Sequence, residues 1–433
     1  MTPVQIGIAS FACLIALMLV SVPVGFVMLL VGFAGFGIIV SWDASMSLVA
    51  RDLFGMMSSY NLTVVPLFVL MGQVAFHAGI SGRLFNAAHK FVGHLRGGLA
   101  IATIGACAGF SAICGSTSAT AATMASVALP EMKKYRYDPE LATGVVAAGG
   151  SLGILIPPST IFIIYGIMTE QSVGKLFLAG IIPGIILSLL FVAVILVWTW
   201  LRPNIAPLAP RASWKERIRS LTGVMETFIL FTVVMVGLFV GIFTPTEAAA
   251  VGAFGTILIA LAGRNLPWKE FILALKETTR ISCMIMVIVA GATVFGHFLA
   301  VTTIPMKIGS WVLTLPLPPP LIIGCIIMIY LVLGCLMDSL AMIMLTIPIF
   351  FPVVTSLGYD PIWFGVIIVV VTEMGVLTPP VGINVYVVSG VARDVPLHII
   401  FKGAMKLLIA QLILTVLLIL FPQIALILPS LMR

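Results

Sequence analysis

Charged side chains are scarce. They make up 9% of 433 residues, against roughly a quarter in soluble domains, while 61% of the chain is hydrophobic and the mean hydropathy is +1.24. This excludes an ordinary soluble enzyme and indicates a polytopic membrane protein. The net charge of +7 does not indicate a nucleic-acid binder, because the cations sit at the ends of apolar runs, where they act as topology determinants. No Walker A sequence, HExxH or dinucleotide fingerprint is present, which argues against ATP hydrolysis, zinc proteolysis or hydride transfer by this chain. The six cysteines lie in apolar stretches without a CxxC, so they read as small buried hydrophobes, not metal ligands or disulfides. Basic residues are missing from the start. Residues 4–40 therefore read as two spans interrupted near Ser21-Val22-Pro23 and not as a secretion signal.

Eight apolar runs are long enough to cross a hydrocarbon core of roughly 30 Å: 4–21, 23–41, 62–79, 174–200, 224–241, 247–263, 280–301 and 397–428. Segment 44–60, next to Asp43 and containing Arg51 and Asp52, reads as a helix lying at the interface. Segment 81–96, with Arg83, His89, Lys90 and Arg96, reads the same way. A basic connector from Arg202 to Arg219 divides the chain into halves.

Residues 114–165 recur at 336–387 with a constant offset of 222. Pro130 pairs with Pro352, Tyr137-Asp138-Pro139 with Tyr359-Asp360-Pro361, Gly153 with Gly375, and Pro157-Pro158 with Pro379-Pro380. The segments Gly98–Pro130 and 320–352 are too long for one upright span. Each has a tip of small or polar residues at its centre, Cys114–Thr120 and Gly334–Ser339, and each reads as a re-entrant helical hairpin. A broken span follows each hairpin: 139–168 interrupted at Gly153–Ser159, and 361–391 interrupted at Gly375–Gly382. Lipid offers no hydrogen-bond partner, so broken helices persist only where they line a protein cavity, and paired breaks point to a transporter's binding site.

Orientation tests this scheme of ten crossings and two hairpins. With the N-terminus in the periplasm, 18 of the 22 Lys and Arg fall on the cytoplasmic side, and only Arg51, Lys175, Lys307 and Arg433 fall outside it. The two hairpins then open to opposite sides, so the repeat is an inverted one. The expected fold is an all-α polytopic membrane protein with two re-entrant hairpins and two broken transmembrane helices.

A broken helix exposes carbonyls that suit a hard cation and amides that suit a carboxylate. Ser116, Thr117, Ser118 and Thr120 at the first tip, with Ser151 and Ser159 nearby, supply neutral oxygens; Asp338, Ser339, Thr378 and Asn384 supply oxygens in the second half. Close helix packing is the alternative use for such Ser and Thr residues. Asp338 and Glu373 are the acids expected deep in the membrane, able to bind a cation or carry a proton, or to be a structural carboxyl. Thr244-Pro245-Thr246-Glu247 reads as a capping box that starts a helix, and His77 and His297, near span ends, read as structural. Gly149-Gly150-Ser151-Leu152-Gly153 matches G-x-S-x-G, but it lies in a membrane helix with no candidate His nearby, so hydrolase chemistry is not expected.

The runs Gly115–Thr120, Gly153–Ser159, Thr378–Asn384 and Thr244–Ala249 resemble the large membrane subunit of tripartite ATP-independent periplasmic (TRAP) transporters, over essentially the whole chain. The resemblance implies a sodium-coupled elevator importing an organic acid across the bacterial inner membrane, with Na+ as coupling ion and no other cofactor. It also implies a scaffold formed by 1–96 and 174–319, a transport domain formed by 97–173 and 320–395, and a C-terminal span at 396–433. Two protein partners follow: a small four-span membrane subunit on a separate polypeptide and a periplasmic substrate-binding protein. By the same analogy one sodium lies between Ser116, Thr117, Ser118 and the break at Gly153, Pro157 and Ser159. A second lies between Gly334, Asp338 and the break at Thr378, Pro379, Gly382 and Asn384. The substrate carboxylate would meet the tips, with Ser116, Thr120, Pro158, Ser339, Thr378 and Asn384 as candidate contacts. A stand-alone anion symporter of the same architecture and a channel are the competing readings.

Overall fold

The computed structural model describes residues 2–432 other than Ser21 and Leu315, and all the described residues fold into helices and connecting turns. Ser21, at the expected interruption of the first apolar run, and Arg433, in the charge count, lie outside the described residues. The chain begins with α1 (Pro3–Leu19), α2 (Val24–Ile39), α3 (Trp42–Met57), α4 (Val64–His77) and α5 (Ile80–Val92). The first hairpin and broken span follow as α6 (Gly98–Cys114), α7 (Thr117–Lys134), α8 (Pro139–Gly150), α9 (Leu152–Leu155) and α10 (Thr160–Thr169). Then come α11 (Val173–Leu201), α12 (Trp214–Val240), α13 (Pro245–Ala262), α14 (Trp268–Thr302) and α15 (Ile304–Thr314). The second hairpin and broken span are α16 (Pro319–Gly334), α17 (Ser339–Ser356), α18 (Pro361–Gly375) and α19 (Ile383–Val391), and α20 (Leu397–Leu420) and α21 (Gln423–Leu431) complete the chain. Among the described residues, eight helical stretches are long and apolar enough to cross a bilayer.

Local chemistry explains many of these boundaries. Asp138 and Asp360 each accept backbone N–H bonds from the first turn that follows, and Pro139 and Pro361 occupy the first helical position, where a missing N–H costs nothing. Thr244 and Glu247 form the expected reciprocal capping box on α13, with Glu247 Oε2 2.8 Å from the Thr244 amide. The bounds of α17 lie 222 residues after those of α7 at both ends.

Three expectations change. The apolar run 397–428 is not one span: α20 stops at Leu420 and α21 starts again at Gln423. Pro422 pushes the residue before it out of the helical region, and Phe421 is extended at φ −129°, ψ 74°. Residues 304–314 form α15, a helix missed because Pro305 and Lys307 interrupt the apolar pattern. The span expected at 280–301 extends back to Trp268, because Glu and Lys are good helix formers and the connector continues the same helix.

The helices pack as two groups. In one, α14 runs along α2 and α4, α13 packs on α4, and α12 packs on α13, while α5 lies between the groups, packed on α12 on one side and on α6 on the other. In the other, α6 to α10 and α16 to α19 surround each other, with α20 against α8 and α18. Helix α11 packs mainly on α6, α9, α10, α18, α20 and α21, so by contact it belongs with the hairpins. His77 ties α4 to α14 through Glu270 (2.8 Å) and Glu277 (3.2 Å), and His297 reaches Asp52 of α3 at 3.2 Å. These contacts suit structural histidines.

Candidate functional site

Helices α6 and α7 meet at Gly115-Ser116. Gly115 is left-handed at φ +63°, and a side chain there would strike the Pro158 carbonyl at 2.6 Å. Ser116 caps α7 by accepting the Ala119 amide at 3.4 Å. The tip is stitched to its own break: Thr160 Oγ1 donates to the Gly115 carbonyl at 3.0 Å, and a Cβ on Gly153 would lie 3.0 Å from the Thr117 Cα. Beyond α8 and the short α9, residues 156–159 are non-helical, and the fully buried Ser159 restarts α10 by accepting the Phe162 amide at 3.3 Å.

The second tip, between α16 and α17, is built differently. Asp338 caps α17 by accepting the Leu340 amide at 3.1 Å, and the Val381 amide donates to the Cys335 carbonyl at 3.3 Å, joining tip to break. Gly334 and Gly375 approach so closely that a Cβ on either would lie within 3.0 Å of the other's backbone. Residues 376–382 are non-helical; Thr378 Oγ1 is committed to the Met374 carbonyl at 2.6 Å, and Gly382 starts α19 with φ +56°. Pro157 and Pro158 are buried, whereas Pro379 and Pro380 are exposed.

Both tips open on one cavity of about 430 Å³. Ser116, Thr117 and Ser118 line it from the first tip and Asp338 and Ser339 from the second, while Val69 and Gln73 of α4 and Ile281, Met284 and Ile285 of α14 form the facing wall. The N-termini of α7 and α17 therefore face the same space, which suits an anion, and the adjacent hydroxyl and carboxylate oxygens suit a hard cation. Gly153, Pro157, Pro158, Ser159, Gly334, Thr378, Pro379, Gly382, Asn384 and Thr120 do not line this cavity.

Asn384 is placed unexpectedly. Its side chain accepts from Thr117 Oγ1 at 3.0 Å and donates to the Ala147 carbonyl at 3.3 Å, so this residue of the second break reaches the first tip. Reciprocally, α10 packs on α17. Two residues were missed from sequence: Gln73, on the cavity wall, and Gln411, whose Nε2 donates to Ser151 Oγ at 2.9 Å. Each is a lone amide in an apolar span, and that was the available signal. Glu373 is fully buried, and among the described residues neither of its carboxylate oxygens has a hydrogen-bond partner; Thr120 Oγ1 is likewise buried and unpartnered. An unpartnered carboxyl deep in a membrane protein is costly to keep, which makes Glu373 a candidate functional residue.

Apolar spans with a shared cavity between two hairpin tips define a helical membrane transporter, and the fold agrees. The crystal structure of the YdaH transporter of Alcanivorax borkumensis superposes with a TM-score of 0.61 at 14% identity, over 87% of this chain and 88% of that one. Residues 11–424 match the family described as "Tripartite ATP-independent periplasmic transporter, DctM component", and the chain belongs to this family of TRAP large permease subunits. It is 38% identical to the C4-dicarboxylate TRAP transporter large permease protein DctM of Pseudomonas aeruginosa, over 88% of this chain and 89% of that protein. It is 34% identical to the sialic acid TRAP transporter large permease protein SiaM of Vibrio cholerae, over 96% and 97% of the two chains.

Proposed function

We propose that this chain carries an organic acid inward across the inner membrane, coupled to sodium, by an elevator movement of the hairpin group against α4 and α14. The observation that carries this reading is the pair of helix N-termini, α7 and α17, facing one cavity between the two helix groups. A carboxylate would meet the amides of both tips, and sodium near Ser116 and Asp338 would offset the acid that otherwise repels it. The named relatives act on C4-dicarboxylate and sialic acid, which supports an acid as cargo.

The moving unit would comprise α6 to α11 and α16 to α21, because α11 and α20 pack on the broken helices. Membership of the family supports two partners, a small four-span membrane subunit and a periplasmic receptor that delivers the acid. The distribution of Lys and Arg supports a periplasmic N-terminus and an inverted repeat.

The test needs no substrate. A cation that binds only the folded state raises the melting temperature with its concentration, so the purified chain should melt higher in sodium chloride than in equimolar choline chloride. Identical melting in the two salts would remove sodium from the proposal. Labelled-substrate counterflow in vesicles holding the chain with its partners separates a carrier from a channel, since a channel shows no exchange stimulation.

A further inference from the structure

A second cavity, of about 500 Å³, lies between α11 and α20 on the outside of the hairpin group, remote from the tips. Its long wall is apolar, formed by Leu190, Val194 and Val197 of α11 with Ile409 and Ile413 of α20, and Arg202 and Lys406 stand at one end. Leu190 and Arg202 are 12 residues apart, so the trough is about 18 Å long at 1.5 Å per residue. One leaflet of a hydrocarbon core of roughly 30 Å is about 15 Å deep, and the trough covers that depth.

The charged end carries excess positive charge. Lys402 (3.5 Å) and Lys406 both pair with the single carboxylate of Glu140, and Arg202 has no ion pair among the described residues. Lys406 Nζ is also held 4.1 Å from the centre of the Trp198 ring, which fixes the cation at the mouth of the trough. The trough ends where the cytoplasmic cations of the chain concentrate, and basic pockets between helices at that face suit anionic head groups.

We propose that this trough is a binding site for one anionic phospholipid, with its phosphate between Arg202 and Lys406 and one acyl chain along Leu190–Leu201. A zwitterionic lipid leaves the excess charge uncompensated. A partner helix would have to bring an acidic side chain to the same end of the trough, and cross-linking from that wall tells the two occupants apart.

Native mass spectrometry of the purified full-length chain, offered dioleoyl phosphatidylglycerol or dioleoyl phosphatidylcholine, tests the site. One phosphatidylglycerol should be retained in preference to phosphatidylcholine. Arg202→Gln should reduce that retention about fivefold, the scale of one cation at a membrane surface. Val197→Trp, at a lipid-exposed position that tolerates bulk, should block the trough and reduce retention at least as much with an unchanged melting temperature. Equal retention of the two lipids, unchanged retention in both variants, or displacement of phosphatidylglycerol by inorganic phosphate would overturn the proposal. So would a cysteine at Val197 that cross-links in membranes to a partner protein and not to a photoactivatable phosphatidylglycerol.

Discussion

Positions 222 residues apart in the two halves share a backbone and differ in charge. Gly153 and Gly375 both let a tip press against its break, and Ser116 and Asp338 both cap the helix that leaves the tip. Yet the pair Ser116 and Ser151 of the first half is neutral, with Ser151 satisfied by Gln411, while the pair Asp338 and Glu373 of the second is acidic and Glu373 is unsatisfied. The first break is closed over its prolines and the second is exposed. Close backbone approach is therefore common to both halves, whereas the acidic side chains of these paired positions belong to the second.

The largest effects should come from the shared feature. Gly375→Ala puts a Cβ 2.5 Å from Gly334 backbone atoms, and Gly153→Ala meets the Ser116 carbonyl. Overpacking of this kind costs roughly 1–3 kcal/mol or more, so both variants should lose uptake and melt several degrees lower; normal uptake by either one would break the equivalence of the halves. Next is the charge difference. On the proposed sodium site, Asp338→Asn replaces the acidic oxygen at the second tip with a neutral one, so the sodium concentration needed for half-maximal stabilisation should rise about tenfold, the equivalent of about 1.4 kcal/mol. Ser116→Ala should raise it only a few-fold, and equal responses would erase the distinction between the tips.

Glu373→Gln loses no hydrogen bond, so the melting temperature should hold or rise, whereas Ser151→Ala strands the Gln411 amide and should cost about 1–3 kcal/mol. A destabilised Glu373→Gln chain would mean that the carboxyl has a partner. Asn384→Ala should cost about 1–2 kcal/mol by removing the bond from Thr117, read as a lower melting temperature. The smallest effect belongs to the exposed pair Lys133 and Asp394, 2.5 Å apart at the end of α7. The hydrogen bond from Lys133 holds the Asp394 carboxyl below the usual carboxylate range, so the contact persists at neutral pH and is lost only as acid protonates Asp394. Exposed pairs contribute little, and Asp394→Asn should leave the melting temperature at pH 7 unchanged.

Much of this was legible in order along the chain. Proline pairs, tyrosine-aspartate-proline turns and runs of about 20 apolar residues act within a few residues of themselves, and the tips at Gly115-Ser116 and 335–338 lie where the small and polar residues suggested. The same local logic explains the failure at 397–428, where hydropathy stayed high through Phe421-Pro422 although the backbone could not stay helical. Gln73 and Gln411 were visible as isolated amides, but nothing nearby in sequence says which partner an amide meets.

Outside the stretches 268–279, 304–314 and 397–428, the sequence alone determined where helices start and break, because proline geometry, capping and the length of an apolar run are properties of short stretches of chain. Only the tertiary structure decided that Asn384 serves the tip 267 residues before it, that α4 and α14 wall the cavity, and that α11 joins the hairpin group. Those outcomes depend on which surfaces fit together once all the helices are packed, and no local pattern encodes that choice.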